Sequence, residues 1–311
     1  VMRRVARVIE RIEPHDSAAR YTALGVECLK GQADLVSPWE VAVGARRLTT
    51  RAIIIATGGR PAIPAIPGLE KVPYLTSDTV WQLNELPRRL VVLGGGAVGC
   101  ELAQAFRRLG SEVVIVETLA RLLAREEPDA SVMLAARLAS EGIEVCTAAQ
   151  TESIGSSELV ATHNGERRVI PFDQLLVATG RRANTADLGL ERFGIELKPD
   201  GTIRVDAHLQ SSCPNVYACG DVAGPYQLTH VAAHQAWHCA MNALLGGLWR
   251  FRIHYSAIPV VIFTDPEIAR VGLTETEATA QGVEFEVTNY GMDELDRAIA
   301  ELDAQMVDEP A

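Results

Sequence analysis

The stretch from residue 90 to residue 117 constrains the fold of this chain more than any other part of its sequence. An apolar, β-branched run leads into Gly94, Gly96 and Gly99, which have the spacing G-x-G-x-x-G at the point where an amphipathic helix is expected to begin. A second apolar run ends the stretch at the acid Glu117. Strand, glycine turn, helix and strand in one register predict a βαβ unit of a doubly wound α/β domain.

Each glycine of this pattern meets a backbone requirement of dinucleotide binding. Gly94 permits a tight turn, Gly96 lets a diphosphate approach the main chain, and Gly99 allows close packing of helix on strand. The helix directs its free N–H groups and its positive dipole end at the phosphates. Its apolar residues at helical spacing are expected to form its inner face: Val98, Leu102, Phe106 and Leu109.

The acid at the end of the second strand predicts which dinucleotide binds. Glu117 lies 23 residues beyond Gly94. A carboxylate there can accept a hydrogen bond from the ribose 2′-hydroxyl of NAD but repels the 2′-phosphate of NADP. NAD is therefore expected in preference to NADP.

The composition limits the possible partners of the chain. It has 311 residues, a net charge of −11 and 48% hydrophobic residues, and only three of its 29 basic residues are lysines. No basic stripe with interleaved aromatic residues occurs, so a nucleic-acid partner is not expected. No apolar run approaches membrane length, and we expect a cytoplasmic protein without membrane insertion.

The cysteines give no sign of redox or metal chemistry. The six cysteines form neither a C-x-x-C nor a C-x4-C pair. Small buried hydrophobic residues are the simplest interpretation, and no metal site is predicted. The six are Cys28, Cys100, Cys146, Cys213, Cys219 and Cys239.

One supersecondary unit occurs twice in the chain. Apolar strands run into the turn Ala-Thr-Gly at Gly58 and again at Gly180, which predicts two related dinucleotide domains. Gly94 precedes Gly180 by 86 residues. Equal spacing in the first copy would place its phosphate loop upstream of residue 1, so the chain is expected to begin inside its first domain. A shorter, differently built first domain is the alternative.

Other segments have simpler patterns. Short helices are expected over 78–86 and near 294–302, and longer ones over 128–140 and 230–245. Alternating apolar residues over 283–287 are typical of a strand. Asp221 follows another apolar strand, where a carboxylate can bind a cofactor hydroxyl or can simply form a turn.

Together these motifs resemble the flavoprotein disulfide reductases, the FAD- and NAD(P)-dependent pyridine nucleotide-disulfide oxidoreductase family. Within it, mercuric reductase and dihydrolipoamide dehydrogenase are most similar. The resemblance implies an α/β fold in which an NAD domain is inserted in an incomplete FAD domain and a truncated α+β interface domain follows. The expected divisions are 1–86 (FAD domain, first part), 87–200 (NAD domain), 201–254 (FAD domain, second part) and 255–311 (part of the interface domain).

The resemblance also implies binding residues. Gly58 would line the FAD site, Gly220 and Asp221 would hold the ribityl chain, and the backbone of Gln227, Leu228, Thr229 and His230 would approach the flavin ring. Glu101 would lie near the nicotinamide. The remaining residues would contact NAD: Gly94, Gly96, Val98, Gly99, Glu117 and Gly180.

The chain departs from the family pattern at both ends. The family's FAD phosphate loop, its C-x4-C redox pair and its C-terminal His-Glu pair are not identifiable here, so no catalytic residue is predicted. Three functions stay open: an oxidoreductase, homodimeric when complete, that passes hydride from NAD(P)H through FAD to a disulfide or metal ion; a catalytically silent NAD(H)-binding fragment; and an NADH oxidase or quinone reductase of the same fold.

Overall fold

The computed structural model describes residues 1–291 together with 296, 299 and 300. The chain divides into two compact units, Val1–Gly272 and Leu273–Ala311. The helices are α1 (Met2–Ile12), α2 (Ala18–Ala23), α3 (Ala97–Leu109), α4 (Pro128–Ser140), α5 (Thr229–Leu245) and α6 (Glu275–Ala280). The strands are β1 (Ala33–Ser37), β2 (Glu40–Val43), β3 (Arg46–Thr49), β4 (Ile53–Ile55), β5 (Gly59–Pro61), β6 (Arg89–Leu93), β7 (Glu112–Val116), β8 (Glu144–Cys146), β9 (Gln150–Ile154), β10 (Glu158–His163), β11 (Glu166–Pro171), β12 (Gln174–Val177), β13 (Arg181–Ala183), β14 (Val216–Ala218), β15 (Pro259–Ile262) and β16 (Ile268–Val271).

A four-stranded parallel sheet is the centre of the first unit. Its order is β12-β6-β7-β8, with α3 connecting β6 to β7 and α4 connecting β7 to β8. Strand β6 is buried along nearly its whole length, as a strand covered on both faces must be. The predicted α/β fold with parallel dinucleotide-binding topology is confirmed.

Helix α3 forms where predicted but turns a different face inward. Gly99, Cys100, Ala103 and Phe106 are buried, whereas Val98 is 41% exposed and Leu109 is 43% exposed. The predicted inner face is therefore wrong at its two ends. The helix lies so close to the sheet that its smallest residues face the strands, and a pattern that gives most weight to large apolar residues misses this.

A second, smaller parallel pair lies beside the first sheet. β4 pairs with β14, and the two are joined to the larger sheet through the antiparallel pair of β5 with β13. Leu75 forms a bridge to Leu176 of the four-stranded sheet. The hydrophobic core around β4 and β14 combines residues that come before the four-stranded sheet in the sequence with residues that come after it. The division of the chain at residues 86, 200 and 254 stays a prediction.

Antiparallel strands complete the first unit. β1, β2 and β3 form a meander, and β9, β10 and β11 form a second one. An Asn164-Gly165 turn joins β10 to β11, and both residues have positive φ (53° and 79°), as a tight hairpin turn of this composition requires. β15 and β16 form a hairpin.

The predicted helix over 78–86 is wrong. Only a single 3-10 turn forms there, Val80–Gln82. The hydroxyl of Thr79 accepts from the amide of Thr76 at 2.9 Å, and the indole of Trp81 donates to the carbonyl of Ser77 at 2.7 Å. These local side-chain bonds satisfy the backbone without a helix, and a helix this short has a costly nucleus.

In the second unit, α6 begins with a capping box. The hydroxyl of Thr274 accepts from the amide of Glu277 at 3.1 Å, and the Glu277 carboxylate accepts from the amide of Thr274 at 3.0 Å. The strand expected over 283–287 is wrong: the segment is exposed and pairs with no strand of the described chain. The helix predicted near 294–302 lies outside the described residues except at 296, 299 and 300, which are helical.

Candidate functional site

The glycine turn between β6 and α3 has the geometry that its sequence predicts. Gly94 has φ of 105°, and a Cβ there would collide with the carbonyl of Ala178. A Cβ on Gly99 would collide with the carbonyl of Gly94. Both positions therefore require glycine. Gly94 needs it for the turn and for the adjacent chain at Ala178, and Gly99 needs it for the close approach of α3.

Open space lies at the third glycine, Gly96. It is the N-cap of α3, it is exposed, and a Cβ there would meet no atom within 4 Å. No side chain caps this helix end, so its first N–H groups remain available to a ligand. Val98 is exposed on the first turn beside them. The site fits an anionic diphosphate.

The carboxylate of Glu117 reaches the glycine turn directly. One oxygen accepts a hydrogen bond from the amide of Gly95 at 2.5 Å, and the other accepts from the amide of Leu119 at 2.7 Å. The carbonyl of Gly95 in turn accepts from the amide of Leu123 at 2.8 Å. The turn, the acid and the loop that follows β7 thus form one hydrogen-bonded group, at the carboxyl ends of parallel strands where dinucleotides bind.

Glu101 lies one turn along α3 and is partly buried. Its carboxylate accepts a hydrogen bond from the amide of Phe263 at 3.0 Å. Burial raises the pKa of Glu101 above its ordinary value, and the bond from Phe263 opposes that rise. A partly buried carboxyl group with a raised pKa is a candidate functional group, and the contact of Glu101 with a nicotinamide stays a prediction.

The two Ala-Thr-Gly turns meet. Their glycines, Gly58 and Gly180, have φ of 67° and 117°, and neither would place a Cβ within 4 Å of another atom. The strands that follow them, β5 and β13, pair through three residues on each side. The sequence repeat predicts the two turns but does not predict that they touch.

Asp221 is held by an arginine that the sequence analysis did not single out. The carboxylate accepts from Nε of Arg181 at 2.9 Å, and Nη2 of Arg181 donates to the carbonyl of Gly59 at 2.7 Å. The adjacent amide of Gly220 donates to the buried side chain of Gln235 at 2.6 Å. Arg181 follows Gly180 directly, so the repeated turn is the signal that could have found it.

The start of α5 completes this second cluster. Leu228 is the N-cap, its side chain makes no cap bond, and Thr229 and His230 are exposed on the first turn. Gln227 is half-buried ahead of the helix. A ring nitrogen of His230 lies 2.8 Å from the carbonyl of Pro259. The predicted site residues thus fall into two clusters, one around α3 and one around Asp221.

Histidines recur every four residues along α5, a spacing that can present metal ligands on one helix face and that the sequence analysis overlooked. The rings of His234 and His238 lie edge to face at 4.5 Å, and Nδ1 of His238 bonds the carbonyl of His234. Among the residues that the structure describes, no group of three potential ligands could hold a metal ion.

Comparison with sequence families decides the relationship. The sequence profile of the pyridine nucleotide-disulphide oxidoreductases matches residues 6–236, and the profile of their dimerisation domain matches 258–307. The chain belongs to the pyridine nucleotide-disulphide oxidoreductase family. Members of the family are enzymes that use FAD and NAD(P)H.

Curated family members show the same relationship. Mercuric reductase of Lysinibacillus sphaericus is 39% identical over 277 residues, a match that covers 88% of this chain and 50% of that protein. Dihydrolipoyl dehydrogenase of Chlamydia muridarum is 36% identical over 282 residues, covering 88% of this chain and 60% of that protein. The chain spans about half the length of the mercuric reductases that it matches.

Solved structures of the family have the same fold. The HOCl-induced flavoprotein disulfide reductase RclA of Escherichia coli superimposes with a TM-score of 0.83 at 28% identity, covering 96% of this chain and 69% of that one. LpdA of Mycobacterium tuberculosis gives a TM-score of 0.83 at 26% identity, covering 97% and 68%. Within the described part of the chain, every helix is too short or too polar to span a bilayer.

Proposed function

We propose that this chain provides the NADH site and part of the FAD site of a flavoprotein oxidoreductase that passes hydride from NADH through FAD to a disulfide or a metal ion. The observation that carries the proposal is the bond between the Glu117 carboxylate and the amide of Gly95. It fixes a ribose-recognising acid beside an open, uncapped helix start. The family membership of the chain supports the same activity.

In this proposal the residues around α3 bind different parts of NADH. The amides at Gly96 and the following turn bind the diphosphate, and the helix dipole favours its charge. Glu117 accepts from the adenosine ribose and discriminates against a 2′-phosphate. Glu101, held by Phe263, orients the nicotinamide end.

The second cluster fits a flavin. Gly58 leaves open space after β4, and Asp221, whose carboxylate is bonded by Arg181, would accept a hydrogen bond from a ribityl hydroxyl. The uncapped start of α5 supplies N–H groups and a positive dipole end near the flavin ring. When bound, FAD would supply the hydride and electron chemistry, and these residues would set its distance and orientation.

The partners follow from the relatives. Mercuric reductase and dihydrolipoyl dehydrogenase, by their names, act on mercury and on a dihydrolipoyl group, so the acceptor class is a metal ion or a disulfide-dithiol couple. The match of 258–307 to a dimerisation domain supports a homodimer of the complete protein. Its net charge of −11 argues against a nucleic-acid partner, and a cytoplasmic location remains part of the proposal.

A reconstitution experiment tests the proposal. We expect the purified chain incubated with FAD to retain flavin absorbance, and anaerobic NADH to bleach it faster than NADPH does. A chain that retains flavin but is bleached by neither nucleotide would overturn the proposed hydride path.

A silent NAD(H)-binding module is the second candidate, because the 311 residues contain no C-x4-C pair. Binding of NADH without flavin retention or dithiol turnover would favour it. Turnover of oxygen or quinone by the flavin-loaded chain would instead favour an NADH oxidase or quinone reductase.

A further inference from the structure

The β15–β16 hairpin is attached to α3 by a ladder of polar contacts. The amide of Phe263 donates to Glu101 at 3.0 Å. One turn farther along, Gln104 bonds both backbone groups of Asp265: its amide nitrogen donates to the carbonyl, and its carbonyl accepts from the amide, each at 2.8 Å. Gln104 is only 4% exposed, so this two-bond contact is shielded from water.

The same side of α3 carries a third contact. Arg108 pairs with the carboxylate of Asp265 at 2.5 Å and with Glu141 at 2.7 Å. Glu101, Gln104 and Arg108 lie on successive turns of one helix face. The tip of the hairpin therefore follows α3 from its second turn to its last.

The opposite strand of the hairpin contacts the loop that follows β7, and backbone hydrogen bonds connect this loop to the glycine turn. Nε of Arg270 donates to the carboxylate of Glu126 at 2.6 Å, and the Glu126 side chain is only 9% exposed. The amide of Glu126 donates to the carbonyl of Leu123, and the amide of Leu123 donates to the carbonyl of Gly95, both at 2.8 Å. Gly95 is the residue whose amide binds Glu117.

Apolar packing connects the contacts at the tip of the hairpin with the contact at Arg270. Ile262 and Ile268 are buried in the same core cluster as Cys100 and Ala103 of α3. The hairpin is thus part of the core that supports the glycine turn, although it lies within the region matched by the dimerisation-domain profile.

We propose that the β15–β16 hairpin is a positioning clamp for the dinucleotide, with one arm at each end of the site. Gln104 positions Glu101 at the nicotinamide end, and Arg270 with Glu126 positions the phosphate loop. The proposal rests on the proposed function, because it takes the α3 cluster as the NADH site. Gln104 and Arg270 are positioning residues that do not themselves touch the nucleotide.

Two ligands distinguish the effect of Gln104 from the effect of Arg270 when both are measured in the whole chain. NADH carries a nicotinamide, whereas ADP-ribose shares the adenosine and diphosphate but lacks it. We expect Gln104→Met to raise the Kd for NADH by about fivefold to tenfold, the worth of one or two hydrogen bonds, and to leave the Kd for ADP-ribose unchanged. We expect Arg270→Met to raise both values by the same factor. Isothermal titration calorimetry measures all of them.

Matched controls make the same chemical changes at exposed sites: Gln150→Met on β9, and Arg204→Met, whose guanidinium pairs with Glu196 on the surface. Arg270→Met leaves Glu126 buried without its cation, so Glu126→Gln is tested beside it and is expected to weaken both ligands less. Equal weakening of NADH and ADP-ribose by Gln104→Met, or no change in either variant, would overturn the clamp. A wild-type chain that binds neither ligand would overturn the proposed function itself.

Discussion

The hydroxyl of Thr57 donates a hydrogen bond to the carbonyl of Asn184 at 2.7 Å. The equivalent threonine of the second turn, Thr179, donates to the carbonyl of Ala62 at 2.8 Å. Asn184 lies five residues after Thr179, and Ala62 lies five residues after Thr57. The backbone repeats the exchange, because the amides of Ala62 and Asn184 donate to Gly180 and Gly58, both at 2.9 Å. The two turns are therefore related by a local two-fold axis.

This symmetry predicts equal effects of equivalent substitutions. Thr57→Val and Thr179→Val each remove one exposed hydrogen bond and keep the side-chain shape, so each is expected to lower the free energy of unfolding by about 0.5–1 kcal/mol. Urea denaturation measures the loss. Thr49→Val, on exposed β3, is the control. A loss at only one of the two turns would argue against equivalent roles.

Two glycines of the phosphate loop are expected to respond in opposite ways to the same substitution. Gly99→Ala places a methyl group against the carbonyl of Gly94, so we expect a loss of stability of about 3 kcal/mol or more, or no folded protein. Gly96→Ala meets open space at a φ of −77° and is expected to keep wild-type stability. It should nevertheless weaken NADH binding about tenfold, because its methyl group lies where the diphosphate approaches.

Thermal unfolding and NADH titration of both variants check these expectations. Full NADH affinity in Gly96→Ala would mean that the diphosphate lies elsewhere.

The nucleotide preference is expected to depend on Glu117. Glu117→Ala removes an acceptor for the ribose and a charge that repels a 2′-phosphate, so NADH binding should weaken about tenfold while NADPH binding improves. Glu117→Gln keeps an acceptor for the amide of Gly95 and is the matched control, with a smaller loss for NADH. Fluorescence titration with both nucleotides distinguishes the two variants. Unchanged affinities in Glu117→Ala would refute the assignment.

Flavin retention is expected to depend on Asp221 and, through it, on Arg181. Asp221→Ala should lower the ratio of FAD to protein after gel filtration, because the proposed ribityl acceptor is lost. Arg181→Met should lower it less, since the carboxylate remains but is no longer oriented. Asp206→Asn changes another turn aspartate, which binds the amides of His208 and Gln210, and is the control. Normal flavin content in Asp221→Ala would make Asp221 a turn residue only.

The ion network around Arg108 predicts a pH dependence of stability. Hydrogen bonds from Arg108 lower the pKa values of Glu141 and Asp265 in the folded protein. A lowered folded-state pKa stabilises the protein above the unfolded-state pKa, and that stabilisation is lost as the pH falls through the folded-state value. The difference in Tm between wild type and Arg108→Met should therefore be largest near pH 7 and shrink below about pH 4.

Arg88→Met removes a guanidinium that pairs with Glu112 at a strongly exposed site and is the control, with a small effect on Tm. A constant difference for Arg108→Met from pH 7 to pH 3 would show that the carboxylates do not titrate with the network.

Sequence patterns predicted the elements whose signals are local. The G-x-G-x-x-G turn and the helix over 128–140 each depend on residues a few positions apart, and the structure confirms them. The face of α3 was missed at Val98 because contact with the sheet, which periodicity does not record, decides which residues are buried.

The long-range contacts of the site were beyond sequence analysis. Arg181 meets Asp221 across 40 residues, and Gln104 meets Asp265 across 161. A sequence does not show which polar residues will be buried or which partners the fold will bring to them. The repeated Ala-Thr-Gly turn was a local signal that could have pointed to Arg181, which follows the second turn directly.

The pairing of β5 with β13 has a mechanical consequence. Both passages of the chain between the four-stranded sheet and the β4–β14 pair run side by side in this short ribbon. The paired backbone fixes the register of these two strands, so the turns at their starts, which contain Gly58 and Gly180, cannot slide past one another.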